Sequence, residues 1–386
     1  MRLLIMTGPL IPRPGNNANL IGKLIPHFRT SGHEVHLFSS APAEKEKDLP
    51  DKCFDSPVHW AVDHRSGWKR ILLYPAVAKV TDRNGYSDAL QVQILKDALG
   101  LVYKDYPFDA VIATSEPYSM AVAALNLKGV KKILYIMDPP ACVSNGVETA
   151  YRNRILPSLL KKYDAILTTP FIKEALLSHG FQITGRMETV GFPMIGQVLP
   201  ERKVPEDGRI RLLFCGWLYS GIRSPEYFLN IVSRLDHRFE VIFMGKECET
   251  LPERFPVETK AAIICRSIQP YETALQAMAD ADVLINIGNS IPVHMPSKTL
   301  EYINTGKPIV NLYKLVDCPT LYYTKKYPLA LNLFEGDKDA DAAAERFIWF
   351  CESHKGQKTN QIVIRREYED CTPKYIADLF CDIINY

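Results

Sequence analysis

The fold is decided by the stretch His294-Met-Pro-Ser-Lys-Thr-Leu-Glu-Tyr-Ile-Asn-Thr-Gly-Lys-Pro-Ile-Val310, whose pattern predicts a loop, a short helix, a glycine stop and a buried strand. Pro296 and Ser297 indicate the start of the helix, because proline tolerates the first helical turn and serine can accept a hydrogen bond from a free backbone N–H. Gly306 indicates its end, and Pro308 prevents the helix from resuming.

The start of this helix is a predicted anion site. Its free backbone N–H groups and the helix dipole favour negative charge, and Lys298 can reinforce them. Glu301 lies four residues after Ser297 on the same face, about 6 Å along the axis at ~1.5 Å per residue. That separation suits a diphosphate at the helix start and ribose hydroxyls on the carboxylate. The alternative is an ordinary helix with an exposed Lys298–Glu301 pair worth ~0.2 to 0.5 kcal/mol.

Length and composition indicate a globular chain. Its 386 residues are 47% hydrophobic and 23% charged, with a net charge of +2. Domains of about 100 to 200 residues imply two domains or one large one. The near-neutral charge, with no basic run interleaved with aromatic residues, argues against nucleic acid as a partner. The apolar run at 3–6 is too short for a signal peptide or a membrane span, so we expect a cytoplasmic protein, soluble or peripheral at the inner face of the membrane.

Cysteine usage agrees with a reducing compartment. The nine cysteines form no CxxC pair and no metal-ligand spacing with histidine, and some, such as Cys215 and Cys265, lie in apolar runs. Buried free thiols are therefore expected.

Two α/β patterns follow one another along the chain. Strands are predicted at 3–6, 35–38, 108–113, 132–137, 166–169 and 188–190, and again at 211–215, 240–244, 262–265 and 283–287. Helical patterns lie between them, one of them with apolar residues from Leu20 to Phe28 and a kink at Pro26. We predict a first domain at 1–196, a polar linker at 197–208, a second domain at 209–370 and a final amphipathic helix at 371–386.

The first half carries its candidate site residues at predicted strand ends. The loop after the first strand lacks GxGxxG, which argues against a nicotinamide dehydrogenase. Gly15, Asn16 and Asn17 could let the backbone approach a sugar or phosphate closely, or they could form a turn and cap. Glu116 and Asp138 each follow a strand, where open α/β sheets place ligands, although each could cap the next helix instead.

Residues 41–90 are predicted to be irregular, and they contain a mixed aromatic, basic and apolar stretch at 60–74. Such a stretch can lie on a membrane surface beside a lipid-linked acceptor. The alternative is that it covers a core.

Four pieces of the chain, in order, resemble the GT-B glycosyltransferases, in particular bacterial lipopolysaccharide and capsule sugar transferases. They are Gly-His-Glu-Val35, Ile-Ala-Thr-Ser-Glu-Pro-Tyr118, the Asp138-Pro strand end, and Pro-Ser-Lys-Thr-Leu-Glu-Tyr302 with Gly-Lys-Pro-Ile-Val310. The resemblance implies two Rossmann-like α/β domains facing across a cleft, with the nucleotide sugar bound by the second domain. It also implies that the final helix packs back on the first domain.

By this resemblance, Ser297 and Lys298 hold the donor diphosphate and Glu301 holds the ribose. The loop after the first strand of the second domain implies a further donor contact through Gly216 and Arg223, although Arg223 could instead be a solvent-exposed residue before a helix.

One position departs from the family. Many members have an acidic residue eight positions before the ribose glutamate, where this chain has Val293. A valine cannot hydrogen-bond a sugar hydroxyl, and His294 beside it could.

No metal and no cofactor are expected. Asp280-Ala-Asp282 matches the acidic pair of metal-dependent glycosyltransferases as a string, but its place between a helix and a strand favours a cap or turn. The alternating Asp337, Asp339 and Asp341 lack the glycine and final glutamate of a calcium loop. The diphosphate would then be stabilised by helix N–H groups, Lys298 and Arg223.

The expected reaction is transfer of a sugar from a nucleotide diphosphate sugar to a hydroxyl of a glycan or lipid-linked acceptor in surface polysaccharide or glycolipid assembly. Asp138 is the leading catalytic candidate and Glu116 the second. Two alternatives are a GT-B sugar-nucleotide 2-epimerase and a catalytically silent sugar-nucleotide-binding protein.

Overall fold

The computed structural model describes residues 1–11, 14–41, 49–62, 88–140, 150–204, 207–218, 221–337 and 339–385. The chain divides into two compact units, one formed by Met1–Pro193 with Asp370–Tyr386 and the other by Met194–Glu369. Most of the mixed stretch at 60–74, from residue 63 onward, lies outside the described residues.

The first unit is an α/β domain around one sheet. Its strands are β1 (Arg2–Met6), β2 (Glu34–Ala41), β3 (Lys52–Cys53), β4 (Ser56–Val62), β5 (Ala110–Thr114), β6 (Lys131–Ile136), β7 (Ala165–Thr168) and β8 (Arg186–Thr189). Its helices are α1 (Asn16–Gly22), α2 (Ile25–Thr30), α3 (Asp88–Asp105), α4 (Tyr118–Ala124), α5 (Ala150–Lys162) and α6 (Pro170–Ser178). Apolar runs such as that of β1 are buried because helices cover a parallel sheet on both faces.

The second unit repeats this plan. Its strands are β9 (Ile210–Cys215), β10 (Phe239–Met244), β11 (Ala262–Arg266), β12 (Val283–Ile287), β13 (Ile309–Tyr313) and β14 (Ala330–Phe334). Its helices are α7 (Glu226–Val232), α8 (Leu251–Arg254), α9 (Tyr271–Asp280), α10 (Ser297–Thr305), α11 (Pro319–Thr324), α12 (Ala340–His354) and α13 (Gln361–Glu367).

The strand orders identify both units as Rossmann-like. Across the described residues the first sheet runs β3-β4-β2-β1-β5-β6-β7-β8 and the second β11-β10-β9-β12-β13-β14, and neighbouring strands are parallel except β3 with β4. The order reverses beside the first strand of each unit, β1 or β9. Ligands bind at the carboxyl ends of strands at such a reversal. A ligand site is therefore expected at the loops that follow β1, β5, β9 and β12.

The final helix, α14 (Pro373–Asn385), belongs to the first unit and packs on α2. Its Phe380 ring lies edge-on to Phe28 and to Tyr135, with ring centroids 5.9 and 5.4 Å away. Among the helices of the described residues, none combines the length and apolar character that crossing a bilayer would require.

Two details differ from the sequence predictions. The single kinked helix at 20–28 is wrong, because α1 ends at Gly22 and α2 begins at Ile25 with Pro26 in its first turn. Proline lacks an N–H and clashes with the preceding turn, so the first helix must end before it. The prediction that 41–90 is irregular is also wrong where the structure describes it, since β4 pairs with β2.

The segment predicted as a linker, 197–208, is part of the second unit. Asn304 on α10 donates to the Gln197 carbonyl at 2.8 Å and accepts from the Gly196 N–H at 2.7 Å. These bonds attach the start of the segment to the body of the unit.

Three asparagines, two of them buried and the third half-buried, form a ladder across the second sheet. Asn286 on β12 donates its amide to Asn311 on β13 at 2.7 Å, and Asn311 donates to Asn332 on β14 at 2.9 Å. Thr324 on α11 donates to Asn332 at 2.6 Å, and Thr299 on α10 donates to Asn286 at 3.3 Å. The ladder joins three strands to two helices, including the helix of the predicted anion site.

Replacing Asn311, which is fully buried, with alanine should lower the free energy of unfolding by about 2 to 4 kcal/mol. The substitution removes the acceptor of the Asn286 amide and leaves a cavity. Urea denaturation followed by circular dichroism measures the change. The exposed Asn230 provides the control, since Asn230→Ala should change the unfolding free energy by less than about 0.5 kcal/mol. Equal stability of the two variants would contradict a structural role for the ladder.

Candidate functional site

The middle of α10 is anchored to the end of β9. The Tyr302 hydroxyl accepts from the Cys215 N–H at 2.8 Å and donates to the Cys215 carbonyl at 3.2 Å. Pro296 occupies the N-cap position of α10, and it makes no side-chain cap hydrogen bond. The predicted serine cap is therefore wrong, because Ser297 is the first residue inside the helix. Gly306 ends the helix at φ +77°, as its sequence position predicted.

Lys298 and Glu301 form the predicted i, i+3 pair, but it is not exposed. The Lys298 ammonium donates to Glu301 Oε2 at 2.5 Å, and the Tyr271 hydroxyl on α9 donates to Oε1 at 3.1 Å. Glu301 is only 1% exposed, so the exposed-pair alternative is wrong. Burial alone would lower the pKa of Lys298, but the Glu301 carboxylate outweighs it and raises that pKa. The ammonium therefore keeps its charge at the helix start.

Gly216 and Arg223 lie together in the loop after β9. Arg223 is 8% exposed and donates to the Trp217 carbonyl at 3.1 Å, so the alternative of a solvent-exposed arginine is wrong. A Cβ at Gly216 would lie 3.5 Å from the Arg223 guanidinium. Gly245 at the end of β10 has φ +140°, and a Cβ there would lie 1.8 Å from the Gly216 carbonyl oxygen. Only glycine fits at Gly245, and this requirement was not predicted.

The loop before α10 is strained at Val293. Its φ of +32° is rare for a β-branched residue, and such conformations persist where the surroundings enforce them. His294, next to it, accepts at Nδ1 from the Asn289 amide at 3.0 Å. The neutral imidazole then carries its proton on Nε2.

In the first unit, two predicted site residues come together. The Asn17 amide on α1 donates to Asp138 Oδ2 at 3.0 Å, across 121 positions of sequence. Asn17 is 8% exposed, and its Oδ1 has no hydrogen-bond partner among the described residues. The amide orients the carboxylate, and a buried acceptor beside it suits a hydroxyl donor from a ligand.

The other first-unit candidates lie around this pair. Gly15 is the N-cap of α1 with φ −65°, and its N–H donates to the Pro9 carbonyl at 2.9 Å, which is the turn-and-cap arrangement. Asn16 is exposed in the first turn of α1. Glu116 is half-buried at the end of β5, and its carbonyl accepts from Thr114 Oγ1 at 3.0 Å.

The acidic pair Asp280 and Asp282 has structural partners. Asp280 Oδ1 accepts from the Lys203 N–H at 2.7 Å. Asp282 accepts from the Arg202 guanidinium at 2.6 Å and from the Arg211 N–H at 2.8 Å. Both carboxylates bind the segment that leads into β9.

The alternating aspartates have other roles. Asp339 caps α12 by accepting from the Ala342 N–H at 2.9 Å, and Asp341 pairs with Arg234 at 2.6 Å. In the part of the chain that the structure describes, no three His, Cys, Asp or Glu side chains are gathered as metal ligands.

Solved structures resemble this chain over its whole length, whereas no protein-family model and no curated protein matches it. A lipopolysaccharide outer core galactosyltransferase, WaaB, is 14% identical with a TM-score of 0.63, covering 100% of this chain and 99% of its own. Sucrose-phosphate synthase from Thermosynechococcus elongatus is 11% identical with a TM-score of 0.69, covering 99% and 98%. Anabaena HepE in complex with UDP-glucose is 12% identical with a TM-score of 0.64, covering 98% and 99%.

The chain has the GT-B fold. The predicted fold class is thereby confirmed. In this GT-B chain, the second-unit candidates Gly216, Arg223, Lys298 and Glu301 surround the carboxyl end of β9, where the strand order reverses.

Sequence reasoning missed two tyrosines of this GT-B chain. Tyr271 holds the Glu301 carboxylate, and Tyr302 anchors α10 to β9. Tyr302 directly follows Glu301, so its place in the predicted helix was a signal that could have identified it. Tyr271 has no local signal, since only tertiary packing brings α9 beside α10.

A buried carboxyl makes stability depend on pH. Burial raises the pKa of Glu335 to about 7, although Lys314 lies 3.6 Å away and opposes the change. The folded chain therefore binds this proton more tightly than the unfolded chain, whose carboxyl titrates near 4.5. Stability should fall as pH rises through this window, on the order of 3 kcal/mol in total.

The measurement compares the wild type with Glu335→Gln in urea denaturation at pH 5 and pH 8. The wild type should lose stability relative to the variant as pH rises. The exposed Glu253→Gln change supplies the control and should leave the pH profile of the wild type unaltered. Parallel profiles of wild type and Glu335→Gln would contradict the prediction.

Proposed function

We propose that this chain is a glycosyltransferase that moves a sugar from a nucleotide diphosphate sugar to an acceptor hydroxyl. The observation that carries the proposal is the charged Lys298–Glu301 pair on α10, beside the end of β9 in a GT-B fold. HepE, a structural neighbour, binds UDP-glucose, which supports a nucleotide-sugar donor here.

In this proposal the donor diphosphate lies at the start of α10. The N-cap side chain accepts no hydrogen bond from the N–H groups there, and Lys298 and Arg223 add two positive charges. Preorganised donors of this kind stabilise a leaving group without having to reorganise during the reaction. Because these groups stabilise the leaving diphosphate, we propose that the hexosyl group is transferred without a metal ion. Ser297 would lie beside the phosphates, and the Nε2–H of His294 would donate to a sugar hydroxyl.

Glu301 accepts from the ribose hydroxyls, with Tyr271 as its positioning residue. Each oxygen of the carboxylate can accept a second hydrogen bond, so the ribose hydroxyls bind while Tyr271 and Lys298 keep theirs. Burial makes these charge-assisted hydrogen bonds stronger than they would be in water.

The first unit supplies the acceptor side. Asp138, oriented by Asn17, receives the proton of the attacking hydroxyl if the reaction inverts the anomeric centre. Glu116 is the second candidate, and Gly15 with Asn16 borders the site. The acceptor is proposed to be a glycan or lipid-linked sugar of surface polysaccharide assembly, met in the cytoplasm or at the inner face of the membrane. WaaB, a lipopolysaccharide galactosyltransferase, supports this choice.

The test is a screen for nucleoside diphosphate release from a panel of nucleotide sugars, with soluble and lipid-linked acceptors. Acceptor-dependent release is the expected result. An epimeric donor formed without acceptor would identify a 2-epimerase instead. Nucleotide binding without release under any acceptor would identify a silent binding protein.

A further inference from the structure

A cavity lies beside the C-terminal end of α10, whereas the proposed diphosphate position is at the N-terminal end. Its volume is about 490 Å³, within the range of about 300 to 1,000 Å³ typical of small-molecule sites. Helix geometry separates its edge at Thr305 from Ser297 by about 12 Å along the axis, at ~1.5 Å per residue. The cavity therefore lies apart from the proposed diphosphate position, and Tyr271 connects it to the ribose end of the donor site by donating to both Gln197 and Glu301.

Hydrogen bonds hold the walls of this cavity in place. Asn304 binds the segment that begins at Gln197, as described above. Gln361, the first residue of α13, donates to the Asn304 carbonyl at 2.9 Å, and Arg202 is fixed by Asp282 at 2.6 Å. The cavity is thus preformed.

The lining is strongly positive. It includes four cations, Arg202, Lys307, Lys358 and Arg365, and one carboxylate, that of Glu201, while Arg202 is paired with Asp282 outside the lining. Within the described residues, neither Lys358 nor Arg365 forms an ion pair with a carboxylate. These two exposed side chains are long enough to turn toward a ligand.

Lys307 is the buried cation among these four. It is 5% exposed, and its ammonium donates to the Ala279 carbonyl at 2.6 Å and to the Ala281 carbonyl. The ammonium of Lys307 therefore already compensates the free carbonyl groups at the C-terminal end of α9. Burial, with Lys358 and Arg202 acting in the same direction, lowers the pKa of Lys307 to about 8, against the opposing carboxylates of Asp282 and Asp280. The charges of Lys358 and Arg202 thus add to the effect of burial in opposing the charge of Lys307.

We propose that this cavity binds a phosphoryl group, carried by a small solute or by a lipid headgroup. Guanidinium and ammonium groups are the usual protein ligands of phosphate, and an arginine can bind two phosphate oxygens at once. A bound phosphate would relieve the repulsion among Arg202, Lys307, Lys358 and Arg365. This site is independent of the proposed sugar transfer.

The solution arm of the test titrates inorganic pyrophosphate into the full-length protein by calorimetry. The cavity variant is Lys358→Gln/Arg365→Gln, and the matched control, Lys260→Gln/Lys325→Gln, removes two exposed lysines elsewhere in the second unit. Pyrophosphate could also occupy the donor site, so the titration is repeated in Lys298→Gln. Saturable binding that survives Lys298→Gln, and that the cavity variant alone weakens about tenfold or more, is the expected result.

The lipid arm measures flotation with phosphatidylglycerol vesicles, using phosphatidylcholine vesicles as the reference. Retention by the first vesicles alone, lost in the cavity variant, assigns the phosphoryl group to a lipid. As a further readout, the NMR titration midpoint of Lys307 should rise when the ligand binds. If neither probe binds saturably, or if the cavity variant binds both as the wild type does, the proposal is overturned.

Discussion

Replacing Asp138 with asparagine should lower the turnover number for sugar transfer by about 100- to 10,000-fold, the range of a lost general base. The amide keeps the shape of the carboxylate and its hydrogen bond from Asn17, but it cannot take the proton of an attacking hydroxyl. The Michaelis constants should change little, because the lost interaction belongs to the transition state. Initial rates of nucleoside diphosphate release against acceptor concentration give both quantities.

The matched control is Asp105→Asn, the same change at an exposed position at the end of α3. It should retain the turnover of the wild type. Asn17→Ala should have an intermediate effect, about tenfold, since it frees the carboxylate to rotate without removing it. Wild-type turnover in Asp138→Asn would exclude this residue as the base and leave Glu116 to be tested in the same way.

Replacing Glu301 with alanine should weaken binding of the nucleoside diphosphate by about 10- to 150-fold, because each hydrogen bond to a charged group contributes about 1.5 to 3 kcal/mol. Calorimetry with the ribonucleotide and its 2′,3′-dideoxy analogue separates the ribose contact from the phosphate contacts. The wild type should prefer the ribonucleotide, whereas Glu301→Ala should bind both equally. Tyr271→Phe should give a smaller loss, about tenfold or less, since it removes only the group that positions the carboxylate.

Glu272→Gln on α9 is the control for both changes, because this carboxylate is exposed. Circular dichroism establishes that each variant is folded. Unchanged preference for the ribonucleotide in folded Glu301→Ala would show that another group binds the ribose.

Local sequence patterns were sufficient to predict α10 and its surroundings. Proline at its start, glycine after its end and the following buried strand are all local signals, and the structure places the helix at Ser297–Thr305. The GT-B fold was implied by the resemblance of four pieces of the sequence to known glycosyltransferases, whereas the repeated alternation of strand and helix predicted the two α/β units. Interactions between neighbours in sequence determine these features.

Burial was predicted less well. Sequence left open an exposed Lys298–Glu301 pair and an exposed Arg223, yet Glu301 and Arg223 are buried. Whether α9 or the end of β9 buries these side chains depends on tertiary packing, which local sequence patterns do not reveal. The Asn17–Asp138 hydrogen bond joins residues 121 positions apart and was unpredictable for the same reason.

The asparagine ladder has a consequence for how this sequence can diverge. Asn311 is donor to one neighbour and acceptor from the other, so a change at any one rung removes a hydrogen bond from another rung. Single substitutions at Asn286, Asn311 or Asn332 should therefore be disfavoured even when each new residue would fit its own space. Related chains should keep all three amides or replace them as a group, and the three positions should vary together across species.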